Sequence, residues 1–204
     1  MGAYDEKRRF FDESAPHWEH GAFDEEGERI ARWILRRAGI APGMTVLEPG
    51  CGAGRMTALL ADAVGPHGRV IAVDISEKMI AAAHRNVNAA NVEFRHGTTE
   101  DLGLAPDSVD LVLCFDVFPH FEDSGRALDS FHRWLAPEGK LVIAHYPGRR
   151  RVNAVHREAG RAVGADRLPD GREMRRLLNA HGFRLPEVID RPDRYFLHST
   201  PARQ

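Results

Sequence analysis

The sequence predicts an α/β fold, a mostly parallel sheet with helices on both faces, and three stretches predict it. Residues 44–47 form a short apolar run leading to a turn with glycine at alternating positions, Gly50, Gly52 and Gly54, before an amphipathic pattern starts near Arg55. Strand, Gly-rich turn and helix make the first half of a nucleotide-binding βαβ unit. A second apolar run, Arg69–Asp74, closes on an acid 20 residues past Gly54. The third, Val109–Phe115, is nearly continuous in apolar residues, as strands covered on both faces are.

Size and charge bound the rest. With 204 residues, 43% hydrophobic and 28% charged, the chain has the composition of one globular α/β domain with a full core. A net charge of −2 recruits neither nucleic acid nor a membrane surface. No run reaches the roughly 18 apolar residues of a membrane span. Residues 1–11 are too charged for a signal peptide. Two cysteines far apart in sequence, Cys51 and Cys114, read as reduced core thiols and point to a cytoplasmic setting.

The elements follow in order. Residues 1–38 read as an acidic helical segment. Ser14 and Pro16 can open a helical turn, and residues 24–38 form a packing helix that stops at Gly39. After the first strand, a helix is expected over about 54–64, the second strand over 69–74, and a helix from Ser76 to about Ala89. Residues 92–96 form the third strand and 109–115 the fourth. A helix then spans 124–135, a turn 135–139, and the fifth strand ends at His145. A short helical insertion is expected at about 147–165. A helix closing on Gly182 and two antiparallel strands, 187–190 and 195–199, finish the chain.

The Gly-rich turn admits three chemistries. A P-loop needs Gly-Lys-Ser/Thr, which is missing. A dinucleotide fingerprint counted from Gly50 needs a third glycine where Arg55 stands. What is present is Glu48 followed by glycines 50, 52 and 54, and an acid beside the turn suits a ligand with cationic groups better than a pyrophosphate.

This pattern resembles the first motif of the class I S-adenosylmethionine-dependent methyltransferases, small-molecule type. Further landmarks follow in family order: Asp74 after the second strand, residues 97–102 after the third, and Leu135-Ala136-Pro137-Glu138-Gly139 before the fifth. The resemblance implies a Rossmann-like seven-stranded sheet of order 3-2-1-4-5-7-6. It also implies a division into an N-terminal helical lid, 1–38, and a methyltransferase domain, 39–204. Its cofactor is S-adenosylmethionine, leaving as S-adenosylhomocysteine. Glu48, Gly50, Cys51, Gly52 and Gly54 would shape the cofactor loop, and Asp74 would hold the ribose. Ile75 and Met79 would wall the adenine, with Thr98, Thr99, Glu100 and Phe115 completing the site. Thr98 stands where the family carries Asp, and a hydroxyl accepts the adenine amino proton less strongly than a carboxylate. The segment 116–121 lacks the paired prolines and aromatic with which related enzymes grip a nucleic-acid base.

Methyl transfer mainly needs a positioned acceptor and, where the acceptor carries a proton, a base. His120 and His145 close neighbouring segments at the expected rim and are the candidates. His17, His20 and His156 lie in segments able to fold over it. No spacing enforces a metal site. Trp18 and Phe118 are expected at the lid and acceptor side. In a helical insertion, Arg149, Asn153 and His156 share one face. Residues 147–176 carry nine arginines against four acids, and residues 1–30 nine acids against four bases. Two solvated faces explain this; an acidic lid docking on a basic insertion is the sharper expectation. The reading is therefore a methyltransferase acting on a small-molecule acceptor, with no nucleic-acid or membrane partner and compatible with a homodimer. Two other classes stay open: a non-catalytic cofactor-binding or interaction protein, and a nicotinamide-dependent oxidoreductase.

Overall fold

The computed structural model describes residues 3–18 and 23–203, without the side chains at 3, 4, 17, 18, 185 and 186. The chain forms two compact units, Met1–Gly103 and Leu104–Gln204. Among the described residues seven strands follow the order β3-β2-β1-β4-β5-β7-β6, as the resemblance predicts. Among the described residues, no helix is long and apolar enough to cross a membrane.

The first unit opens with α1 (Ala3–Trp18) and α2 (Glu25–Ala38). Pro16 lies inside the last turns of α1 rather than opening a helix. Its missing N–H costs the ladder bond to the carbonyl of residue 12, but only two residues of helix lie beyond it. In α2, Asp24 caps the first turn by accepting from Gly27 N at 2.7 Å, and Gly39, at φ 77°, ends the helix in the left-handed region. Ile30 and Ile34 on its apolar face are fully buried, each stabilising the fold by roughly 1.5–3 kcal/mol.

Three parallel strands follow: β1 (Thr45–Pro49), β2 (Arg69–Asp74) and β3 (Val92–His96), with Val46 opposite Val70 and Val70 opposite Val92. Between them lie α3 (Arg55–Val64) and α4 (Glu77–Asn86). Ser76 caps α4 by accepting from Met79 N, as its sequence position predicts. The helix stops at Asn86, short of Ala89, because Val87 turns extended and buries its side chain. A single 3-10 turn, Thr99–Asp101, closes the unit.

The second unit is built on β4 (Val109–Phe115) and β5 (Leu135–His145), which are parallel, with α5 (Ser124–Trp134) between them in sequence. Ala127, Leu128, Phe131 and Trp134 are the buried face of α5. The expected turn at 135–139 is absorbed into β5. Leu135 pairs with Val109 and Lys140 with Leu111, so four residues of β5 stand opposite one of β4 as a wide bulge. Pro137, which has no N–H to donate, tolerates that position. Then come α6 (Arg149–Glu158), inside the expected insertion, and α7 (Gly171–Ala180), opened by a capping box between Asp170 and Glu173. The antiparallel pair β6 (Phe183–Asp190) and β7 (Tyr195–Pro201) runs longer than the sequence pattern suggests. β7 inserts antiparallel beside β5, with Tyr195 opposite His145.

Candidate cofactor site and polar rim

In the first unit the loop after β1 is set by three glycines in the left-handed region, Gly50 at φ 66°, Gly52 at 54° and Gly54 at 87°. They serve different ends. A Cβ on Gly54 would come within 2.8 Å of Val87 Cγ2, so this glycine lets the loop close on α4. A Cβ on Gly52 would meet nothing within 4 Å; that face of the loop is open, and its backbone lies bare to a ligand.

The loop is tied to β2 through Asp74. Its Oδ2 accepts from Gly52 N and its Oδ1 from Ser76 N, each at 2.9 Å. The carboxylate is 9% exposed, and burial is the main cause raising its pKa. The two backbone donors oppose that shift, the nearby charge of Asp12 adds to it, and His96 lowers it. A carboxylate offers about four lone-pair directions. Two are taken, which leaves acceptors for a pair of ligand hydroxyls.

Glu48 is 2% exposed and accepts from Thr57 Oγ1 at 2.6 Å, which ties β1 to the first turn of α3. Burial pushes its pKa up to about 8, against the lowering effect of Thr57, with Asp74 raising it further. Cys51, inside the loop, is buried, and burial raises its thiol well above the usual value. Cys114 is fully buried in β4, and burial raises it too.

The remaining first-unit candidates are placed less uniformly. Met79 belongs to a buried apolar cluster with Ala15, Ala53 and Ala82. Ile75 is half-buried, and its carbonyl lies 3.2 Å from His96 Nε2. Thr98 donates its hydroxyl hydrogen to Asp101 Oδ2 at 2.6 Å, so that hydrogen is spent within the 3-10 turn. Thr99 is buried and Glu100 half-buried beside it. The side chains of His17 and Trp18, and all of His20, lie outside the described residues.

In the second unit, Phe115 is buried at the end of β4, and Phe118 is buried edge-on against Phe121, centroids 5.7 Å apart. His120 sits on a 3-10 turn with Nδ1 2.6 Å from Asp166 Oδ2. His156 packs on it at 4.7 Å between centroids, its own Nδ1 3.0 Å from the Asp166 carbonyl. The face expected to meet substrate is thus partly spent on the chain itself. Asn153 holds Leu168 at both ends of its amide, at 3.0 and 2.8 Å, and Arg149 pairs with Asp190 at 2.7 Å.

His145 is only 1% exposed, while Asp116 in front of it is 34% exposed. The His145 Nδ1 lies 3.4 Å from Asp116 Oδ1, which also accepts from Tyr146 N at 2.9 Å. Asp116 has φ 55°, a left-handed conformation that aspartate adopts more readily than most residues. Behind it, His145 Nε2 and the Tyr195 hydroxyl are buried without a hydrogen-bond partner among the described residues. Sequence reasoning placed residues 115–120 at the rim without singling out Asp116, and gave no role to Asp166 or Asp12. An acid closing an apolar strand was the available signal for Asp116, the same signal that singles out Asp74. Among the described residues, no group of three or more His, Cys, Asp or Glu is arranged to hold a metal.

Residues 47–143 match the family model described as a methyltransferase domain. The chain is 42% identical over 110 residues to an arsenite methyltransferase of Halobacterium salinarum, covering 52% of this chain and 28% of that protein. It spans less than half the length of the first curated relatives it matches. Two solved structures share the fold nearly end to end. One, a methyltransferase of Aquifex aeolicus described as dependent on S-adenosylmethionine, has a TM-score of 0.71 at 23% identity, covering 98% of this chain and 100% of that one. The other, magnesium protoporphyrin IX methyltransferase of Synechocystis with bound S-adenosylhomocysteine, has a TM-score of 0.70 at 19% identity and the same coverage. Glycine loop, strand-end acid and strand order agree with that match: residues 47–143 resemble the methyltransferase-domain family, and the chain has the class I fold.

Proposed function

We propose that this chain transfers a methyl group from S-adenosylmethionine to a small-molecule acceptor. The observation that carries the reading is Asp74, clamped between Gly52 N and Ser76 N with two acceptor directions left over. A ribose has two neighbouring hydroxyls to give them. The bare face of Gly52 lets the cofactor lie against the backbone. Glu48, protonated below about pH 8, brings no negative charge to the site and serves to tie β1 to α3 through Thr57. When bound, S-adenosylmethionine supplies a methyl group on a positively charged sulfur, open to in-line displacement.

The chain's own residues would then position the acceptor and deal with its proton. Asp166 on His120 Nδ1 stabilises the charge that a proton on that ring brings. His145 is too buried to meet an acceptor from solvent, so Asp116 is the exposed member of that pair and His145 supports it from behind. The arsenite relative suggests a soft acceptor, but soft arsenic favours thiolates. Both cysteines here are buried and held as thiols, which favours an oxygen, nitrogen or carbon acceptor.

Calorimetric titration with S-adenosylmethionine, S-adenosylhomocysteine and NADH tests the cofactor. The adenosyl ligands should bind, and Asp74→Ala should weaken them by at least about tenfold, the loss of a charge-assisted pair of hydrogen bonds. Binding of NADH in their place would overturn the reading. A radiolabelled methyl-transfer screen over small phenols, amines and carbon acids then separates an enzyme from a binding protein.

A further inference from the structure

Two carboxylates reach Ser76 from very different places in the chain. Asp74 lies two residues before it, and Asp12 comes from α1, 64 residues away. A serine hydroxyl has one hydrogen. Here Oγ accepts from Met79 N at 3.1 Å, as the cap of α4, and donates its hydrogen to Asp12 Oδ1 at 2.6 Å. The hydrogen is therefore kept away from Asp74. Serine side chains bond readily to acceptors a few residues back. Released from Asp12, this hydroxyl would turn toward Asp74 and occupy an acceptor direction that the ribose hydroxyls need.

The same helix holds the glycine loop. Ala15, one turn on from Asp12 and on the same face, is 4% exposed and packs with Ala53, Met79 and Ala82. Ala53 lies between Gly52 and Gly54. Thus α1 shares a buried cluster with the glycine loop through Ala15 and reaches the corner after β2 through Asp12.

Resting on the methyltransferase reading above, we infer that Asp12 is a positioning residue of the cofactor site. It acts through Ser76 on Asp74, so that docking of α1 and binding of the cofactor are coupled. Coupling is reciprocal: whatever α1 docking does for the cofactor, the cofactor does for α1 by the same factor.

The test uses the full chain and S-adenosylhomocysteine as probe. Asp12→Ala should weaken its binding at least about fivefold, the low end of common coupling factors. Asp12→Asn, which still accepts the Ser76 hydrogen, should recover most of the loss. Glu13→Ala, on the exposed side of the same helix, should change nothing. Ser76→Ala removes the hydroxyl that would turn onto Asp74, so Asp12→Ala added to it should cost nothing more, because the two act through one hydrogen bond. Trypsin cleavage after Arg8 and Arg9 should slow on saturation with the probe in the wild type but not in Asp12→Ala. Wild-type affinity in Asp12→Ala, or additive losses with Ser76→Ala, would overturn the inference and leave the cofactor reading standing. A wild-type chain that binds neither adenosyl ligand would overturn the cofactor reading and the inference with it.

Discussion

Glu48 is a buried acid whose ordinary state below about pH 8 is protonated, because burial outweighs the hydrogen bond from Thr57. A raised pKa in the folded state means the fold holds the proton more tightly than the unfolded chain. The associated stability is present in full below the ordinary value of 4.5 and is lost as pH rises through about 8. Glu48→Gln keeps an acceptor for Thr57 and removes the titration. Thermal melts at pH 5 and pH 8.5 should show the wild type losing stability on the order of a few kcal/mol more than the variant. Equal losses would mean that Glu48 is ionised throughout. At this scale the sequence was legible wherever a residue type answers a local demand. Gly50, Gly52 and Gly54 stand where the backbone is left-handed, and Asp74 closes a strand. It was not legible for Asp12 or Asp166, whose partners lie 64 and 46 residues away and are brought together only by tertiary packing.

Helices and strands were read well where their ends carry caps. Asp24 and Gly39 bound α2 as their residue types require. Boundaries slipped where the decisive contact is not local. The bulge of β5 at residues 136–139 looked like a turn because Pro-Glu-Gly is turn chemistry, yet pairing with β4 resumes on both sides. The residues of α6 at 149, 153 and 156 were read for a substrate; in the structure Asn153 and His156 bond to the segment 166–168. That segment depends on them. Asn153→Ala leaves the Leu168 N–H and carbonyl without their partner, so it should cost about 1–3 kcal/mol in a denaturant melt. It should also speed tryptic cleavage after Arg167, while an unchanged cleavage rate would show that the clamp contributes nothing.

For the whole molecule, strand order and cofactor class came from landmarks appearing in one fixed order along the chain. Each was weak alone, since a glycine-rich turn fits several ligands. The acceptor was not legible, because function resides in a few side chains of the rim rather than in the fold. Ligand linkage gives a check on the complete chain. A cofactor that binds only the native state, present at 100 times its dissociation constant, should add about 2.7 kcal/mol to stability. Differential scanning fluorimetry should therefore show the thermal midpoint rising with S-adenosylhomocysteine in the wild type and rising clearly less in Asp74→Ala.

The left-handed backbone at Asp116 has a consequence for how this protein can change over time. Few residue types settle there without strain, chiefly glycine, asparagine and aspartate. Aspartate and asparagine codons differ by one base. A single nucleotide step can therefore exchange a negatively charged oxygen for a neutral amide at the exposed corner beside His145, with the main chain undisturbed. Larger or branched replacements are barred by the backbone itself. Change at this corner is thus channelled between an acid, an amide and a bare glycine, a narrow and reversible set of alternatives.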